Sequence, residues 1–144
     1  MKISTRGRYA LRLMLDLALN DSGTPLRIKQ IAQRQDISDK YLEQIVSILN
    51  KARYVQSIRG PQGGYLLTKK PEEYTVGMIL RLTEGSLAPV DCVEAEFPSC
   101  EKMEDCVTSI VWKKMNDAIN DVIDNITLAD LMAWQIEKNG GYSI

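Results

Sequence analysis

At 144 residues, 44% hydrophobic and 26% charged, the chain is long enough to bury a core and too evenly mixed to be fibrous or disordered. Its longest apolar run is a handful of residues, which excludes a membrane-spanning helix, and it contains no histidine, which excludes His-based catalysis and His-containing metal sites. The net charge of -1 hides a strong polarity: residues 1–70 hold 13 Lys/Arg against 5 Asp/Glu, and residues 71–144 hold 5 against 14, so the first half suits a polyanion and the second does not.

The opening, MKISTRGRYALRLMLDLAL, breaks its apolar pattern with Arg12 and Asp16. A signal peptide keeps an unbroken apolar stretch, so a cytoplasmic chain is expected. Tyr9, Leu13 and Leu17, with Ala10, Met14 and Leu15, recur at helical spacing over residues 4–19. Ser4 or Thr5 is the expected N-cap, and Asn20-Asp21-Ser22-Gly23 the stop. Lys2, Arg6, Arg8 and Arg12 gather near the amino end of this helix, where they suit phosphate contacts.

Ile28, Ile31 and Ala32 form the stripe of a short second helix, and Gln35-Asp36-Ile37 reads as a tight turn. Ser38 then caps a third helix in which Leu42, Ile45, Val46 and Leu49 repeat at i, i+3, i+4 and i+7. Two such helices about a brief turn make a helix-turn-helix unit. The other face of the third helix presents Ser38, Asp39, Lys40, Tyr41, Glu43, Gln44 and Ser47. These groups can read DNA: Gln pairs with adenine, Glu accepts from cytosine, and Lys meets guanine or phosphate. Any two packed helices can imitate this pattern, so the continuation matters. Tyr54–Ile58 and Gly64–Leu67 are β-prone runs around Arg59-Gly60-Pro61-Gln62-Gly63, a Gly/Pro turn that closes a hairpin. That is a wing. Its tip, from Arg59 through Gly63 and Gly64, lets backbone approach DNA closely, with Arg59 suited to the minor groove. A phosphate loop of the nucleotide-binding kind is rejected, since no Gly-Lys-Ser/Thr follows.

Thr75–Glu84 reads as a capped helix that ends at Gly85-Ser86. All three cysteines, Cys92, Cys100 and Cys106, fall in the next segment, CVEAEFPSCEKMEDC. An odd number in a cytoplasmic chain argues against a disulfide framework and for ligation or redox chemistry. After Cys106 an apolar stripe runs through Val107, Ile110, Val111, Met115, Ala118, Val122 and Ile126 on a long helix. The stripe suits pairing with a second copy across a two-fold axis; a buried intrachain helix would leave the same pattern. Thr127 caps a final helix, Leu128–Lys138.

The opening MKISTRGRYALRLMLDLA, the helix SDKYLEQIVSIL, the wing SIRGPQGGYLL with TVGMILRLTEG after it, and the three cysteines near position 100 resemble the IscR-type winged-helix transcription regulators, the Rrf-two family. The resemblance covers nearly the whole chain. It implies a dimeric bacterial repressor that binds a double-stranded DNA operator and is not an enzyme. In several branches three cysteines, here matching Cys92, Cys100 and Cys106, hold a 2Fe–2S cluster whose state tunes operator binding. Another branch lacks the cluster and represses sulfur and cysteine metabolism genes with cysteine synthase as corepressor. Two features depart from the cluster-binding branches: the first inter-cysteine gap of seven residues is longer, and positions that supply the fourth ligand elsewhere are Ser109 and Arg8 here. Candidates for that ligand are Asp91, Glu94, Glu96, Glu101, Glu104, Asp105, Ser109 or an external thiol.

Other uses of the cysteines stay open. Zinc is atypical without histidine, and six acidic residues against Lys102 alone disfavour the thiolate that a redox switch needs. A cluster among so many carboxylates is expected to have a low reduction potential. The expected fold is mostly α with a small β wing: a winged helix-turn-helix domain plus a long C-terminal dimerisation helix. Residues 1–84 form the DNA-binding domain (helix-turn-helix about 27–51, wing 54–67), 85–106 the cysteine-containing sensor segment, and 107–144 the dimerisation helices. Lys2 and Arg6 are expected on DNA phosphates.

Overall fold

Ser4 starts the first helix as its residue type predicts. In the computed structural model, which describes residues 1–94 and 105–140, its hydroxyl accepts the Gly7 amide at 3.1 Å and opens α1 (Thr5–Leu19). Ala10, Leu13, Met14 and Leu17 face inward along one stripe and are buried. Helices α2 (Ile28–Gln35) and α3 (Asp39–Lys51) are joined through Asp36, which takes a left-handed backbone (φ 54°). A short polar side chain tolerates that conformation better than a branched one. Ser38 accepts the Tyr41 amide at 3.2 Å and caps α3, whose Leu42, Ile45, Val46 and Leu49 complete the core.

The hairpin of β1 (Val55–Ile58) and β2 (Gly64–Leu67) is antiparallel, with Val55 opposite Leu67 and Ile58 opposite Gly64. Leu26, two residues ahead of α2, adds a further rung: its amide and carbonyl bond Tyr65 at 3.0 and 2.8 Å. The far end of the hairpin is pinned by Tyr74, which is fully buried. Its hydroxyl accepts the Thr68 and Lys69 amides at 3.0 Å each and donates to the Tyr54 carbonyl at 2.7 Å. The sheet is thus anchored to the helical core at both ends, as a two-stranded ribbon needs to be to hold one orientation.

Thr75 caps α4 (Val76–Glu84) by accepting the Met78 amide at 3.0 Å, and Gly85 ends it with φ 78°. A 3-10 turn, Asp91–Val93, leads toward α5 (Thr108–Ile123), and Thr127 caps α6 (Leu128–Lys138). α6 folds back on the amino-terminal helices. Leu128 is fully buried in the core with Leu13 and Ile79, and its amide donates to the Tyr74 carbonyl at 3.0 Å. α1 and α4 lie together so closely that a Cβ at Gly7 would strike the Glu84 carboxylate. α5 keeps little of itself inside: Ser109 and Ile123 are buried, while Ile110, Val111 and Val122 are at least half exposed, at 53%, 50% and 56%. The architecture is mostly helical with one two-stranded antiparallel sheet among the described residues, matching the expected class. No helix among them is long and apolar enough to cross a membrane.

Candidate nucleic-acid interface and cysteine segment

The cap at Ser38 fixes where α3 begins, and helical geometry then decides which side chains leave the core. Ser38, Asp39, Lys40, Glu43 and Gln44 are exposed at its amino-terminal end. Tyr41 is half-buried instead, with its ring edge-on to Tyr9 at a centroid distance of 5.7 Å. At the hairpin tip Arg59, Gly60, Pro61 and Gln62 are exposed, Gly63 is buried and Gly64 half-buried. Gly60 has φ 109° and its carbonyl accepts the Gly63 amide at 2.9 Å, a turn that a side chain at position 60 would strain.

Lys2 and Arg6 stand exposed at the amino end of α1. The other two cations of that cluster have intramolecular partners. Arg8 donates to Thr5 Oγ1 at 3.1 Å. Arg12 donates to Gln35 Oε1 at 3.1 Å and to the Gln35 carbonyl at 2.6 Å, so it satisfies the carboxyl end of α2 and fixes the turn of the helix-turn-helix.

Three connections were not legible as site features in the sequence. The Arg27 guanidinium donates to the Pro61 carbonyl and holds the wing tip against the start of α2. Asp16, only 2% exposed, accepts from Arg34 Nε and Nη2 at 3.0 and 2.6 Å and from Gln35 Nε2 at 2.9 Å. That hydrogen bonding holds the Arg34 guanidinium's pKa above its ordinary value, against the smaller effect of burial. Glu84, the last residue of α4, accepts from the Ser4 amide at 2.9 Å and from its hydroxyl at 2.5 Å. A carboxylate at a helix amino terminus is favoured by the helix dipole. The sole hint for any of these was a charged residue, Asp16, inside an apolar stripe.

The cysteine segment is anchored at both ends. Cys92 lies half-buried in the 3-10 turn Asp91–Val93, which packs on α5. Cys106 lies half-buried just ahead of α5, its Sγ 3.2 Å from Thr108 Oγ1. Ser109 is buried and donates to the Cys106 carbonyl at 2.6 Å, so its hydroxyl proton is committed to the helix start. Asp91 and Asp105 are exposed and Glu94 is half-buried. Cys100, Glu96, Glu101 and Glu104 lie outside the described residues.

Residues 3–134 match the Rrf2 family, described as an iron-dependent transcriptional regulator. The chain is 45% identical over 132 residues to protein rrf2 of Nitratidesulfovibrio vulgaris, covering 92% of this chain and 87% of that one. It is 42% identical over 142 residues to the HTH-type transcriptional regulator CymR of Bacillus subtilis, covering 99% and 97%. The solved structure of that CymR superposes with a TM-score of 0.79 over 93% of this chain and 98% of that chain, at 41% identity. The HTH-type transcriptional regulator IscR of Pectobacterium atrosepticum is 41% identical over 132 residues, covering 92% and 79%. These relatives are named as transcriptional regulators, which are not enzymes. A family match across almost the whole chain, with relatives near 40% identity on two sides of it, means that this chain belongs to the Rrf2 family of transcriptional regulators.

Proposed function

We propose that the chain acts as a homodimeric, DNA-binding repressor that senses iron–sulfur or redox status through a 2Fe–2S cluster on Cys92, Cys100 and Cys106. In this reading residues 1–84 read DNA, 85–106 sense, and 107–144 dimerise. One observation carries the DNA part: the exposed polar end of α3 and the Arg59–Gly64 tip sit on one packed frame, with α3 against α2 and β1 and the hairpin tied to the start of α2 by Arg27 to Pro61 and Leu26 to Tyr65. The amino end of α3 enters the major groove, where Gln44, Glu43, Lys40 and Asp39 address base edges and Ser38 meets a phosphate. Arg59 takes the adjacent minor groove. Lys2 and Arg6 neutralise phosphates. The exposed apolar residues of α5 pair with those of a second copy, so the dimer covers a pseudo-palindrome with half-sites about one helical turn apart.

Two described thiols stand half-buried, Cys92 in a turn that packs on α5 and Cys106 just ahead of that helix, and thiolates from one segment are the donor set that iron–sulfur clusters use. The cluster, when bound, supplies a redox-sensitive charge. The chain's own contribution is the path from the segment to DNA: α4 ends at Glu84, and Glu84 holds Ser4 beside Lys2 and Arg6. A second reading is favoured by the likeness to CymR over nearly all of both chains. In it the cysteines bind no cluster and a partner enzyme, cysteine synthase, supplies the signal.

Protein purified without oxygen separates the two. The first reading expects visible absorption with about two irons per chain, both lost in Cys92→Ala. A colourless, iron-free protein that retains operator binding and captures cysteine synthase favours the second. Absence of DNA binding by either form would overturn both.

A further inference from the structure

Between the carboxyl end of α4, the 3-10 turn at Cys92 and the middle of α5 lies a cavity of ≈ 470 Å³, within the size range of small-molecule sites. Arg81, Glu94, Asn116 and Asn120 supply its polar wall, and Leu87 and Val93 part of its apolar wall. Arg81 is set in place from behind. Its Nη1 and Nη2 donate to Asp124 at 2.5 and 2.9 Å, and Nη2 also donates to Asn120 Oδ1 at 2.8 Å. A guanidinium has five N–H donors, so donors remain on the same fixed plane. The Asn120 oxygen is already used by Arg81, which leaves its amide hydrogens to serve as donors.

The charges decide what fits. Asp124 already offsets the charge of Arg81, so a simple anion meets a net negative wall with Glu94, and a simple cation gains from Glu94 but leaves the remaining N–H donors of Arg81 and Asn120 without an acceptor. A small molecule carrying both signs satisfies both, with its carboxylate on the guanidinium and the Asn116 amide and its ammonium on Glu94.

We infer that this cavity is a binding site for a small zwitterion of the α-amino-acid class, placed to modulate DNA binding. Its walls include the segment that carries Cys92, and Arg81 lies one turn before Glu84, whose carboxylate holds Ser4 at the amino end of α1. An occupant therefore ties the cysteine segment to the end of the molecule that bears Lys2 and Arg6. The binding step stands independently of the function proposed above; only its effect on DNA rests on that reading.

Calorimetric titration of the full chain, purified without oxygen, tests it with the proteinogenic L-amino acids at millimolar concentration. The best binder is compared with its carboxamide, which lacks the carboxylate, and its N-acetyl derivative, which lacks the ammonium. At least one free amino acid binds, and each derivative binds roughly tenfold weaker or worse. Glu94→Gln and Asn116→Ala weaken the same amino acid by about tenfold, while Asn116→Ala leaves the thermal midpoint and the amino-acid-free DNA affinity of the protein unchanged. Failure of every amino acid to bind, equal binding of the derivatives, or undiminished binding by both variants would overturn the assignment. Because binding is read without DNA, a failure here is distinct from a failure to bind the operator.

Discussion

Asp16 shows how one residue can set the position of a whole reading surface. Its carboxylate is removed from water, a costly state unless fully paired, and Arg34, Gln35 and Asn20 provide that pairing across α1 and α2. Arg34→Ala leaves the buried carboxylate without its counter-charge. Because Arg34 itself is partly exposed, the expected loss is about 2–3 kcal/mol rather than the larger penalty of a fully buried pair, read as a lower urea midpoint at unchanged slope. Arg59 carries the opposite profile, exposed at the wing tip with no packing duty. Arg59→Ala is expected to keep the urea midpoint and lower operator affinity about tenfold in a gel-shift assay at moderate salt. With Lys2 on a phosphate, as proposed, Lys2→Ala is expected to weaken all DNA sequences alike and to reduce the slope of log K against log salt by about one unit.

Between elements, α4 is the hub: it packs on α1, and Arg81 clasps α5 through Asp124. The hydrogen bonds from Arg81 hold the Asp124 carboxyl below its ordinary 3.8, with burial opposing and direct charge attraction adding a smaller part. A carboxylate whose folded pKa is depressed stabilises the fold above its ordinary value and loses that contribution as pH falls through the folded value. Both side chains are substantially exposed, so the clasp is worth no more than about 1 kcal/mol. Asp124→Asn is therefore expected to lower stability slightly at neutral pH, with the difference from wild type shrinking as pH falls below the ordinary carboxylate range in acid-titrated thermal melts. Gly7 reports on the other side of α4. Gly7→Ala would drive a methyl group against the Glu84 carboxylate and is expected to displace that side chain from Ser4 rather than to part the two helices.

For the molecule as a whole, α5 is the unfinished part. Ile110, Val111 and Val122 sit at least half exposed, with Met115 and Ala118 exposed on the same helix, and a folded chain rarely leaves such a stripe to water. Ile110→Asp is expected to shift the sedimentation of the protein from dimer toward monomer, leaving helix content intact. Operator affinity falls with it, because two half-sites are then no longer held at a fixed spacing.

Local chemistry made much of this readable in one dimension. Ser38, Thr75 and Thr127 each cap the helix that their side chains predicted, because a cap is decided within three or four residues. The wing was legible for the same reason: β-prone runs flank a turn of Gly and Pro, and the register follows from it. Distant partners were not legible. Glu84 meets Ser4 across 80 residues and Arg27 meets Pro61 across 34, and nothing near either residue specifies the other. The same limit applied to the basic cluster at the start of α1, where composition could not tell exposed Lys2 and Arg6 from Arg12, which closes the end of α2. Helices, turns and the family were written in spacing and residue type; which charges face outward, which lock the frame and where a cavity opens were decided only when packing brought remote side chains within hydrogen-bond reach.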